Sequence, residues 1–145
     1  MRSKLLASAN DCRTFMVVFD IGEEAAAGLK YFAEKNELRG SHFTALGAFQ
    51  DVTLGWWNWE THIYEKIAFQ EQVEALSLIG NIARSPQGGP TVHAHAVIGR
   101  RDGRAHGGHL LEAHVRPVLE VTITEAPAYL QRRPDERTGL ALLEP

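Results

Sequence analysis

Five of the seven histidines, His93, His95, His106, His109 and His114, fall within 22 consecutive positions (114 − 93 + 1), leaving two for the other 123. A neutral imidazole is the commonest protein ligand for first-row divalent metals, so this density predicts a metal centre. His93-Ala94-His95 lies in the extended run Thr91 to Ile98. The two-residue period of a strand then sets both imidazoles on one face. A third ligand must come from an adjacent strand, and the turn at Asp102-Gly103 delivers one. In the simplest two-residue hairpin Arg101 faces Arg104, paired positions sum to 205, His95 faces Leu110 and His109 points to the other side. One extra residue, expected as a bulge at Gly107-Gly108, changes the sum to 204 and places His109 opposite His95.

The predicted ligands are therefore His93, His95 and His109 around one divalent cation, at about 2.0–2.1 Å per nitrogen for zinc. Nickel, copper or iron would also suit three imidazoles. Three protein ligands leave a fourth position open to water or another ligand, as in catalytic rather than purely structural zinc sites. The competing reading is a set of polar side chains on a half-exposed strand. His106, in the turn, and His114, on the outgoing strand, are read in that way, and Glu112, the nearest acidic residue in sequence, is not assigned as a base.

The elements that must position these residues are mostly strands. Arg13 to Phe19 is β-branched and aromatic and stops at Asp20-Ile21-Gly22. From Glu23 to about Asn36, Ala25, Leu29, Phe32 and Ala33 recur at helical spacing, Glu23 and Glu24 sit at the positive end, and Leu38 and Gly40 close the helix. His42 to Phe49 follows, so strand, helix and strand make one crossover. Beyond it Val52 to Trp57, Ile63 to Phe69, Val73 to Ile82, Thr91 to Ile98, His109 to Val115 and Val118 to Thr124 all read as extended, with short connectors at Asn58 to Thr61 and Asp102-Gly103. Ser85 to Pro90 is a loop. The fold class expected is α+β: one domain over 1–145, a large and mostly antiparallel sheet with one main crossover helix, and peripheral tails at 1–12 and 127–145 in which Leu140, Leu142 and Leu143 dock on a surface.

Composition limits the possible functions. At 145 residues and 44% hydrophobic, the chain can bury one good core. Fifteen Lys and Arg against eighteen Asp and Glu leave a net charge of -3, which counts against unaided capture of nucleic acid. Cys12 is the single cysteine, so no intrachain disulfide forms. No stretch approaches the ~20 apolar residues of a membrane helix, and Phe15 to Phe19 is too short and too late for a signal peptide, so a cytoplasmic location is expected. Gly88-Gly89 lacks the Lys-Ser/Thr of a phosphate loop, and no Gly-x-Ser-x-Gly elbow is present. Trp56-Trp57-Asn58-Trp59 ends a strand with at least one tryptophan at a surface, suited to a subunit contact or a pocket lip. The basic run Gly99 to Arg104 sits at a hairpin tip, where it could touch phosphate or simply be solvated.

The run Glu74 to Ile82, then Thr91-Val92-His93-Ala94-His95, then Gly107-Gly108-His109-Leu110, resembles the core signature of the PPC family, named for plants and prokaryotes. Gly47-Ala48-Phe49 and the stretch Arg132 to Leu143 fit as well, so the resemblance covers nearly the whole chain. It implies a mostly antiparallel sheet with few helices, assembled as a homotrimer, with His93, His95 and His109 as the metal ligands. In plants this domain follows AT-hooks that grip DNA, and stand-alone prokaryotic members are often labelled DNA-binding by that kinship. The present chain has no Arg-Gly-Arg-Pro hook, and the plant Gly-Arg-Phe-Glu-Ile segment is here Glu71-Gln72-Val73-Glu74-Ala75. A trimer would carry about three times -3, or -9, which further disfavours duplex DNA unless basic residues cluster. Two functions are expected: a homotrimeric metal-binding PPC module with a DNA-binding or regulatory, accessory role, and a small zinc-dependent enzyme of hydrolase type using the open water position.

Overall fold

The computed structural model describes residues 1–145 except Arg39, Pro127 and Pro145. In chain order the elements are β1 (Arg2–Ala9), β2 (Cys12–Phe19), α1 (Ala25–Lys35), β3 (Ser41–Asn58), β4 (Ile63–Phe69), β5 (Val73–Arg84), β6 (Pro90–Gly99), β7 (Ala105–Glu125), β8 (Gln131–Asp135) and β9 (Leu140–Glu144). The expected α+β architecture is present: one large sheet, antiparallel apart from the β5–β8 contact at Arg84 and Gln131, with a single helix among the described residues. The sheet runs β1-β2-β7-β3-β5-β8-β9, with β4 on β3 and β6 joining β5 to β7. Strands β3, β5, β6 and β7 therefore pair in a closed circuit, which leaves no free edge among them. No described helix is long and apolar enough to cross a membrane.

The helix buries Ala25, Leu29, Phe32 and Ala33 against the sheet, the face its periodicity predicts. The Glu24 carboxylate caps it, accepting from the Ala26 and Ala27 amides at 3.1 and 2.5 Å. The same carboxylate accepts from Ala113 N at 3.1 Å, tying the helix start to β7. The stop falls near Asn36 with Leu38 taking part, as expected, but without a glycine. The helix ends at Lys35, and Glu37 rather than a glycine takes the left-handed conformation (φ 52°), while Leu38 N donates to Ala33 O at 3.0 Å. Backbone hydrogen bonding and the packing of Leu38 on the core set this end, so Gly40 is not needed for it.

Two further differences concern strand length. Single strands β3 and β7 replace the expected pairs 42–49 with 52–57 and 109–115 with 118–124. Their mutual register jumps from Gly47 opposite Leu119 to Phe49 opposite Val115, so Arg116 and Pro117 fall in a bulge. A proline without an N–H is tolerated there, and the strand continues past it. The terminal segments also join the sheet, β1 along β2 and β8–β9 as a hairpin beside β5, while Pro127 and Pro145 lie outside the described residues. One core results, with Phe19, Phe43, Phe49, Leu54, Leu78 and Ile98 fully buried. The histidine strand β6 forms part of its wall.

Candidate metal centre

The site begins at the β6–β7 turn. Arg100 N donates to Arg104 O and Gly103 N to Arg100 O, both at 2.9 Å, so the connection is Arg101-Asp102-Gly103, one residue longer than the simplest hairpin. Gly103 takes φ +81°, the left-handed position that this turn requires, and Asp102 Oδ1 accepts from Arg104 N at 3.0 Å. Pairing then runs evenly from Gly99 opposite Ala105 to His95 opposite His109, a constant sum of 204. The extra residue therefore sits in the turn. Gly107 and Gly108 stay in register with Val97 and Ala96, and the bulge expected there is absent.

On β6 the residues Ala94, Ala96 and Ile98 are buried in the core, so His93 and His95 project from the opposite face. One ring nitrogen from each of His93, His95 and His109 lies within 4.8 Å of the other two, and ring centroids are 5.1–5.4 Å apart. Tetrahedral zinc wants nitrogens roughly 3.4 Å apart. Burial, reinforced by the Arg132 charge and the neighbouring rings, lowers the pKa of His93, and that of His109 to about 4. Those two imidazoles are consequently neutral at pH 7, the form that ligates. His109 Nδ1 is buried with no hydrogen-bond partner among the described residues, as a nitrogen suited to a cation would be. The donor set thus fits a divalent ion.

Aromatic rings hold His109 in place. Tyr64 of β4 stacks on it with centroids 4.5 Å apart, and Trp57 packs edge-on against Tyr64 at 4.9 Å. Of the tryptophan knot, Trp57 backs the site while Trp56 and Trp59 stay exposed. Burial raises the Tyr64 pKa, so its phenol stays protonated. A cavity of about 330 Å³ opens on His93 and His109, and Arg132 and Tyr64 line it with residues of the Ser85–Gln87 loop and of β9. Sequence reasoning passed over Tyr64 and Arg132 as site residues. Neither stands near a histidine of the cluster in sequence, and only the β3–β4 pairing and the β8–β9 hairpin bring them here.

The remaining histidines of the cluster stand apart. His106 packs on Phe69 at 5.0 Å, and His114 shares a 2.8 Å hydrogen bond with Asp51 Oδ1, which raises its pKa. Glu112 is exposed beside His114 and belongs to no metal-ligand group among the described residues.

The depressed His109 value gives stability a direction with pH. Unfolded, His109 takes up a proton near 6.5; folded, it resists protonation until about 4. Between those values the unfolded chain holds more protons, so stability falls as the pH falls. His114 acts only at higher pH, where its extra stabilisation is lost as the pH rises through its raised folded value. Metal-stripped protein is therefore expected to melt at a lower temperature at pH 5 than at pH 7, and His109→Asn should shrink that difference. Equal differences in the two proteins would refute the assignment.

The model of the Plants and Prokaryotes Conserved (PCC) domain matches residues 6–127. Among solved structures, the chain is similar to a plant- and prokaryote-conserved (PPC) protein of Pyrococcus horikoshii, with 32% identity, TM-score 0.86 and 92% of each chain covered. It is also similar to the metal-containing protein AF0104 of Archaeoglobus fulgidus, with 28% identity, TM-score 0.85 and coverage of 100% of this chain and 99% of that one. A third similar structure, described as a putative DNA-binding protein of Bacteroides thetaiotaomicron, shares 25% identity at TM-score 0.87, over 95% of this chain and 94% of that one. No curated protein sequence matches significantly.

Proposed function

This chain belongs to the Plants and Prokaryotes Conserved domain family, and from that premise we propose that it is a cytoplasmic, homotrimeric metal-binding module with a regulatory or accessory role. His93, His95 and His109 hold one divalent cation, with zinc the expected element. The observation that carries this reading is the convergence of three ring nitrogens within 4.8 Å on a sheet face where burial keeps two of the imidazoles neutral. The description of the Archaeoglobus protein as metal-containing supports it from outside. DNA contact is the weaker part of the proposal. It draws on the description of the Bacteroides protein and on the basic hairpin tip, and it stands against a net charge of -3.

The cavity favours a second reading, a small zinc-dependent enzyme of hydrolase type. Three protein ligands leave a coordination position free, and the 330 Å³ space beside His93 and His109 could admit a small molecule to it. A bound ion would supply Lewis acidity there. Tyr64 would wall one side and offer a protonated phenol as donor, and Arg132 would hold an anionic group.

Elemental analysis of protein purified without added metal, with anomalous diffraction at the element's edge, tests the common premise. One ion per chain at the three histidines is expected, and metal-free protein that takes up no ion would end both readings. Titration with duplex DNA at several salt concentrations then separates them. A DNA-binding regulator should bind at micromolar levels or tighter with a steep salt dependence, whereas an enzyme need not bind at all.

A further inference from the structure

Arg132 is only 8% exposed, yet its charge has no counter-ion among the described residues. Its guanidinium donates to Asn81 Oδ1 at 2.6 Å and to the Ala141 carbonyl at 3.0 Å, both neutral acceptors, and its Nε is buried without a partner. The fold treats its half-buried arginines differently: Arg13 meets the buried Glu125 carboxylate at 2.6 Å, and Arg100 meets Glu71 at 2.7 Å. A buried cation left unpaired is costly. Among the described residues the cavity beside Arg132 has no Asp or Glu in its lining, and the guanidinium already acts electrostatically on His93 and His109. A divalent ion on those imidazoles would add two further positive charges to a wall whose described residues hold no negative one.

We propose that this cavity binds the carboxylate of a small organic acid, with Arg132 as its counter-ion. A planar guanidinium with unused donors matches a carboxylate well. Val92, Leu140 and Leu142 line the same space and can receive an apolar tail, and about 330 Å³ exceeds what a single inorganic anion fills. The proposal rests on the metal reading only for the added attraction of the ion, because the unpaired guanidinium calls for an anion with or without it.

The test is isothermal titration with butanoate, the neutral isostere butanamide, and inorganic phosphate, on zinc-loaded and metal-stripped wild type and on Arg132→Met. Butanoate should bind, butanamide should not, and phosphate should bind more weakly than butanoate. Arg132→Met should weaken butanoate about tenfold or more, the effect of losing one charge-assisted hydrogen bond, while keeping its zinc content. The same dependence on Arg132 should survive in metal-stripped protein, so a failure of the metal reading, seen in zinc stoichiometry, is distinguishable from a failure of this one. Equal binding of butanoate and butanamide, or indifference to Arg132→Met, would overturn the proposal. Phosphate binding as tight as butanoate would overturn the assignment to an organic acid. Should Arg132→Met not fold, Arg132→Lys and the butanoate–butanamide comparison on wild type decide the matter.

Discussion

His109→Ala is expected to purify with almost no bound metal and to bind added zinc at least about 100-fold more weakly than wild type. Changing groups that merely support a metal ligand typically costs 10–100-fold in affinity, so deleting a ligand should cost more. Of the three proposed ligands, His109 is the one on β7, facing His95 across β6–β7 and Gly55 across β3–β7. Without it the pair His93 and His95 remains on one strand, and two imidazoles alone are a weak site. Competition against a chromogenic chelator measures the change. His106→Ala is the control, since that ring packs on Phe69 outside the group of three and its loss should leave metal affinity within about twofold. Zinc should raise the melting temperature of wild type and of His106→Ala, because a ligand that binds only the folded chain stabilises it, but not of His109→Ala. If His109→Ala held zinc as tightly as its parent, the three-histidine centre would have to be abandoned.

The second large effect is expected away from the three histidines, at Gly80. A Cβ at that position would lie 2.3 Å from the carbonyl oxygen of His93 and 2.5 Å from the Phe43 ring. The ring is fully buried, and the carbonyl belongs to the paired strand that carries His93 and His95, so neither obstacle can yield cheaply. Overpacking a filled core usually costs 1–3 kcal/mol, and a clash with backbone belongs at the upper end, about 3 kcal/mol. For a chain of this length that corresponds to a fall of roughly 10 °C in melting temperature. Gly80→Ala should therefore melt about 10 °C lower, and its displaced β6 should also bind zinc more weakly. Gly89→Ala, where the added methyl meets nothing within 4 Å, should be nearly neutral in both respects. Thermal unfolding of the two variants side by side checks this, and matching melting temperatures would show that β6 has room to move.

Much of the architecture was legible in the residues. The helix face Ala25, Leu29, Phe32 and Ala33 follows from its period, and β4 runs from Ile63 to Phe69 as its composition predicts. Where the reading erred, a longer-range contact overrode a local signal. The bulge at Arg116 and Pro117 let β7 run on through a proline, and with Leu38 packed on the core the left-handed turn at the helix end fell to Glu37 rather than to a glycine. The exposed strand β1 has no buried side of its own to leave an alternating pattern, so only its ladder with β2 reveals it.

The convergence of the three histidines was readable from spacing, because strand period and hairpin parity are properties of the chain alone. His93 and His95 share a face by counting, and His109 needs only one extra residue between the strands. Which residue that was could not be read. A turn lengthened at Gly103 and a bulge at Gly107-Gly108 give the same parity, and the choice rests on backbone hydrogen bonds that form only once the strands pair. The rest of the site belongs to the tertiary structure. Tyr64 and Arg132 reach the histidines through strand pairings and a terminal hairpin, contacts with no sequence period, and the missing counter-ion of Arg132 is a statement about its surroundings in space.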